Sequence, residues 1–173
     1  MDAGNELLDA ALKILPALGF DLSGTKATCP DGRIVPITTG APLHTLGHLV
    51  QEDICLLQKH NDEHVLTSAV LCFPAGWQLA EKINRPLVAI HAPVDEYDAN
   101  VARRVQRLFD GVQVGRPLWR FNKLRYADPD LHQPYKRADA DDMPYTRSER
   151  QCVIRMPQTD TVVFTIHTHV VRA

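Results

Sequence analysis

Two hydrophobic rhythms run along the chain. Between residues 6 and 18, Leu7, Leu8, Ala11, Leu12, Leu15 and Leu18 fall at helical spacing. Pro16 interrupts that run and predicts a kink or an early end, because proline has no amide hydrogen to donate. Residues 98–109 repeat the helical pattern, with Val101, Val105, Leu108 and Phe109 on one side and Arg103, Arg104 and Arg107 off it. The second rhythm is that of strands. Residues 51–58 (QEDICLLQ) and 64–73 (HVLTSAVLCF) flank the polar turn KHND. Residues 118–126 (LWRFNKLRY) alternate apolar with polar. Residues 149–156 and 161–171 are two further strands, and the short connection PQTD makes them a hairpin.

Weaker signals fill the gaps. PDGRIVPI (30–37) reads as a turn and a short strand, residues 44–50 as one or two helical turns, and WQLAEKIN (77–84) as a short helix. The apolar run 87–90 reads as a buried strand that ends at His91, and residues 127–146, rich in Asp and Pro, as a long surface loop. Strands joined by short turns predict a mainly antiparallel sheet of about five strands. Helices packed on one face of it complete an α+β domain, with room for a cavity beneath the inserted helices. Residues 1–42, a helix and a short strand, are expected to pack on a main domain spanning 43–173.

Composition narrows this picture. At 173 residues and 45% hydrophobic, the chain can bury a core without disulfides. A net charge of -2 gives no global attraction to nucleic acid or an anionic membrane. The cysteines, Cys29, Cys55, Cys72 and Cys152, form no CxxC pair, so reduced thiols are expected. The opening MDAGNELLDAALK is acidic before it is apolar, unlike a signal peptide, and no apolar run approaches membrane-spanning length. A cytoplasmic protein without a membrane partner is expected.

Several side chains offer chemistry. His44 and His48 stand at i and i+4, a spacing that ligates metal on a helix, but they lack a third ligand and read as a surface pair. His60 and His64 flank a turn and read as solvated. His167 and His169 share one strand face with Thr165; with an acid such as Glu149 or Glu52 they would make a His/His/carboxylate iron site. In RSERQCVIR, parity puts Glu149, Gln151, Val153 and Arg155 on one face and Arg150, Cys152, Ile154 and Met156 on the other. Charges on a central strand must be solvated, paired or set around a pocket. Glu52 and Asp53, at the head of a buried strand, read as helix caps or cation ligands. His91 is the strongest single candidate: a neutral imidazole with an acceptor on one nitrogen can bind haem iron through the other. Residues 87–90 with Phe73, Trp77 and Phe109 would wall such a slot, and Arg85, Arg147 or Arg150 would meet the propionates. Cys72 is a rival ligand in an apolar setting that does not lower a thiol pKa. A structural histidine at a strand end explains the same pattern.

Four segments carry a resemblance: LVQEDICLL (49–57), LCFPAGWQLAEKINRPLVAIHAPV (71–94), RPLWRFNKLR (116–125) with DPDLHQP, and RSERQCVIRMPQTDTVVFTIHTHV (147–170). In this order they resemble the haem-dependent oxidative N-demethylase α-subunit-like family. The resemblance implies a PAS-like fold around haem b, with His91 of IH-x-PV as axial ligand. It implies oxidation of a small amine by dioxygen with loss of formaldehyde, and Glu149, Gln151 and Arg155 as pocket residues. Their carboxylate would suit an ammonium, and their amide or guanidinium would donate a hydrogen bond on the distal side. Electrons would come from a separate flavin and iron–sulfur reductase, since the chain carries neither a dinucleotide fingerprint nor a cluster-binding cysteine pattern. Two other readings stand beside it: a haem- or ligand-binding PAS-like sensor without turnover, and a non-haem iron oxygenase built on His167 and His169. Self-association into a homo-oligomer is compatible with any of the three.

Overall fold

The computed structural model describes residues 2–92, 98–135 and 142–172. Residues 93–97, the end of the stretch that carries His91, and 136–141, inside the Asp/Pro-rich segment, lie outside the described residues.

Helix α1 (Ala3–Ile14) starts where the Asp2 carboxylate accepts the Asn5 amide hydrogen, and a 3-10 turn (Leu15–Leu18) follows at Pro16. Gly19, at φ 88°, ends that turn in the left-handed conformation that glycine tolerates best. Three short strands, β1 (Asp21–Ser23), β2 (Lys26–Thr28) and β3 (Ile34–Pro36), form a small antiparallel sheet, and α2 (Pro42–Leu49) comes next. The main sheet is built from β4 (Asp53–His60), β5 (Glu63–Val70), β6 (Leu118–Tyr126), β7 (Tyr145–Arg155) and β8 (Val162–Arg172). Its order is β5-β4-β8-β7-β6, and every pairing is antiparallel. Between β5 and β6 lie a 3-10 turn (Leu79–Glu81), α3 (Leu87–His91) and α4 (Ala99–Gly111). The α+β architecture and the five-stranded sheet are as the pattern predicts.

Helices cover both faces of the sheet. The inserted helices occupy one face: Leu87, Ile90 and Phe109 pack there on Cys55, Leu57 and Val153. On the opposite face, Leu8 of α1 and Leu46 of α2 pack on Ile54, Leu56 and Val163. The one-face expectation describes α3 and α4 and misses the N-terminal pair. Glu6, 4% exposed, ties α1 to the β7–β8 turn by accepting the backbone N–H groups of Gln158 (2.7 Å) and Thr159 (2.8 Å).

Residues 87–90 are helix, not strand. Pro86 is the N-cap, and the Ile90 amide closes the first turn on the Pro86 carbonyl at 3.0 Å. Leu87 and Ile90, three apart, are buried while Val88 is 49% exposed, which is helical spacing. A run of four apolar residues fits either period, so the sequence pattern was ambiguous there. WQLAEKIN shrinks to the single 3-10 turn, and β7 begins at Tyr145, earlier than its hydrophobic run.

Candidate functional site

Strand alternation gives the sheet two unlike faces: a back packed by α1 and α2, with a more open hollow of about 490 Å³ beside Leu56 and Ser68, and a front dominated by a cavity. The front holds a cavity of about 570 Å³, within the range of about 300–1,000 Å³ typical of small-ligand and cofactor sites. Cys55, Leu57, Val153, Phe164 and Ile166 form its sheet side; α3, α4, Phe73 and Trp77 close around it. Burial pushes the Cys55 thiol up to about 12 and raises that of Cys72 as well, so neither thiol is activated.

His91 stands in the wall at the end of α3. Its Nδ1–H donates to the Leu87 carbonyl at 2.8 Å, one helical turn back. A carbonyl only accepts, so Nδ1 carries the hydrogen and Nε2 is the lone-pair nitrogen. Burial lowers the ring's pKa, and Lys82 and Arg120 add to that effect against the Leu87 bond. The imidazole is therefore held neutral, the state in which it ligates metal.

Beside the apolar lining lies a polar network. The Glu149 carboxylate accepts from Asn122 Nδ2 (2.8 Å), Gln151 Nε2 (3.2 Å) and Arg147 Nε (3.3 Å). Gln151 Oε1 accepts from Arg120 Nε at 2.8 Å. Asp53, 1% exposed, accepts the Cys72 and Phe73 amide hydrogens on one oxygen, at 2.6 and 2.8 Å. Burial raises the Asp53 carboxyl above its ordinary pKa, although those bonds and Arg147 pull the other way. Lys82 Nζ lies 4.8 Å from the Trp77 ring, so a cation and an aromatic face meet in one wall.

Of the residues the sequence points to, the structure brings together His91, Phe73, Trp77, Glu149 and Gln151 in the cavity lining. Four arginines fall outside it. Arg147, 1% exposed, donates to the Phe73 carbonyl (2.6 Å), the Leu131 carbonyl (3.0 Å) and Glu149, so it braces two lining residues from behind. Arg155 has the parity of Glu149, but its guanidinium reaches the end of α4. It donates to the carbonyls of Phe109 (2.6 Å) and Val112 (2.7 Å), a cation capping a helix C-terminus. Arg150 lies on the back face and pairs with Glu52 at 2.9 Å. Arg85 sits in the loop before α3, where its carbonyl accepts from the Leu66 amide.

The cations that do reach the lining, Lys82 and Arg120, are not singled out by the sequence reading, and neither is Tyr126; Asp53, expected to cap a helix or bind a cation, lines the cavity and accepts loop amides instead. Parity was the available signal for Arg120, which shares a strand side with Leu118 and Leu124. The other histidines divide between the surface and the interior. His44 and His48 are an exposed pair on α2, ring centroids 4.6 Å apart. His64, expected in solvent, is 1% exposed: Gln106 Nε2 donates to its Nδ1 at 2.7 Å and the Phe109 ring meets it edge-on. His167 and His169 stack on the back face, with His167 Nδ1 3.6 Å from Glu52. No three His, Cys, Asp or Glu side chains gather into a metal-holding group among the described residues, so that pair lacks its third ligand. No described helix is long and apolar enough to cross a membrane.

A haem needs one axial base, apolar walls and cations at its edge, and His91, Phe73 with Trp77, and Lys82 with Arg120 fit those requirements. An α+β domain that leaves one sheet face hollow, apolar and lined by a neutral histidine has the make-up of a cofactor-binding protein. The chain belongs to the haem-dependent oxidative N-demethylase, alpha subunit-like family, whose model matches residues 7–173. No curated protein matches it.

Proposed function

We propose that the front cavity binds haem b with His91 as its axial ligand, within an enzyme that oxidatively demethylates a small amine. The family supports haem dependence and an oxidative enzyme subunit. The observation that carries the residue assignment is the His91 ring in the cavity wall, its Nδ1–H fixed on the Leu87 carbonyl and its pKa lowered by burial. Phe73 and Trp77 would hold the ring edges of the cofactor, and Lys82 and Arg120 would meet its carboxylates.

Bound haem would supply redox chemistry with dioxygen: an N-methyl group leaves as formaldehyde and the second oxygen atom leaves as water, using two electrons and two protons. The electrons would come from a separate flavin and iron–sulfur reductase. The chain's own contribution is recognition and exclusion of water. Three donors fix the Glu149 carboxylate in the lining, where it would attract a substrate ammonium, and Gln151 links it to Arg120. Arg147 and Asp53 hold the Phe73 backbone from opposite sides, so both act on position rather than on the substrate.

The deciding test is the absorption spectrum of protein produced with ample haem. We expect an intense Soret band whose position and intensity change in His91→Ala. Iron coordination unaltered by that substitution rejects the ligand assignment, and a chain that takes up no haem rejects the cofactor. Formaldehyde release from dimethylamine with a chemical reductant then separates turnover from sensing, because haem retained without product favours a sensor.

A further inference from the structure

The two edges of the main sheet are treated differently. Along β5 the chain covers its own edge: the Leu66 amide donates to the Arg85 carbonyl (3.0 Å), the Asn84 amide donates to the Leu66 carbonyl (2.7 Å), and Val65 bridges to Pro86. Along β6 nothing comparable occurs, and among the described residues no segment pairs with its outer side. Yet β6 is nine residues long and exposes Leu118 (42%), Trp119 (68%), Phe121 (54%) and Leu124 (51%). A long open edge with exposed large side chains is a template for another strand.

The residue order of β6 says which strand. Against an antiparallel copy of itself centred on Asn122, Leu118 faces Tyr126, Trp119 faces Arg125, Arg120 faces Leu124 and Phe121 faces Lys123. This register uses the whole strand and sets no cation opposite a cation. It creates two kinds of cation–aromatic pair, Trp119 with Arg125 and Phe121 with Lys123, each occurring twice by symmetry. Centring on Arg120 or Lys123 would oppose like charges. We propose that this protein forms a two-fold dimer by pairing β6 with β6 of a second copy, joining two five-stranded sheets into one.

The dimer bears on the site. Arg120 and Leu124 both line the cavity, and in this register Arg120 of each copy abuts Leu124 of the other. An antiparallel pair in one sheet keeps both front faces on the same side, so the two cavities lie next to each other across the new strand pair. The proposal stands whatever the cavity holds.

Sedimentation velocity of the full chain over a range of concentrations tests it. We expect a species of twice the 19.4 kDa chain mass. Phe121 is outside the cavity lining and half exposed, so it can be changed without touching the site. Phe121→Lys sets a lysine opposite Lys123 of the second copy and is expected to weaken the dimer at least tenfold. Phe121→Glu sets a carboxylate opposite the same lysine and is expected to keep the dimer, more strongly at low salt. Circular dichroism establishes that both variants fold. Single-chain mass throughout, a dimer indifferent to Phe121→Lys, or equal dissociation of the two variants overturns the proposal.

Discussion

The back and front of the main sheet are made by the same strands and finished in opposite ways. On the back, Ile54, Leu56 and Val163 meet Leu8, Leu46 and Met156 in a packed core, with an open hollow at its Leu56–Ser68 margin, and Glu6 fastens the covering helix to the β7–β8 turn. On the front, residues one step along the same strands, Cys55, Leu57, Val153 and Phe164, face about 570 Å³ of cavity. A void costs stability unless something fills it. The front also carries a buried Asp53, Glu149 and Arg147, each of which needs partners that an apolar core would not require. Stability is concentrated in the face that is filled, and chemical capacity in the face that is not.

The largest effect expected on breaking this arrangement is on the front. Arg147→Ala removes a guanidinium that braces Phe73, Leu131 and Glu149 at once. Stranding the Glu149 charge should cost about 3–5 kcal/mol, read from urea unfolding at pH 7. A loss below about 1 kcal/mol would show that Arg147 is dispensable to the network. Next comes a direct contrast between the faces. Leu8→Ala opens a hole in a closed core and should cost about 2–5 kcal/mol. Leu57→Ala enlarges a space that already exists, so it should cost about 1–2 kcal/mol less. Equal losses at the two sites would erase the distinction drawn between the faces.

Sequence pattern was a good guide where periods were long. The amphipathic run of α4, the alternation of β6 and the PQTD hairpin all read directly. Strands β1 and β2, three residues each, are too short to show a period, and α3 carries a strand-like pattern because four apolar residues suit either rhythm. At the site, parity on β7 put Glu149 and Gln151 on one face, and the structure has both in the cavity lining. Arg155 is on that same face, as parity has it, but it is not a pocket residue because its long side chain is drawn past the cavity to the carbonyls at the end of α4. His64 was illegible for another reason: its burial depends on Gln106, 42 residues further along the chain, and on Phe109 beside it. Local sequence reports which way a strand residue points, not what reaches it from elsewhere.

A smaller perturbation sharpens the role of the back face. Although burial opposes it, the Thr159 side chain and the amides of Gln158 and Thr159 hold the Glu6 carboxyl below its ordinary pKa. Its contribution is therefore present above its unfolded value of 4.5 and lost as pH falls through the lower folded value. Glu6→Gln should destabilise by about 1–2 kcal/mol at pH 7, and the two proteins should converge in acid. A gap that persists unchanged at pH 3 would mean that the carboxylate charge is not what holds α1 to the hairpin.

The gentlest test uses pH alone and addresses the front. Burial lowers the pKa of His64 and of His91, both packed against the inserted helices. For each, the unfolded chain binds a proton more readily than the folded one. Stability from these rings is thus fully present above the unfolded value of 6.5 and drains as pH falls toward the folded values. His167, on the back, shifts the same way, so the histidines must be separated by substitution. Calorimetry of ligand-free protein should show the melting temperature declining from about pH 6.5 downward, before the Glu6 latch begins to titrate. His64→Gln, which removes one ring buried against Gln106 and Phe109, should make that decline shallower without abolishing it. If the melting temperature stayed level from pH 7 to 5, burial would not be holding the front-face rings neutral. His91 would then have no enforced lone pair to offer a metal.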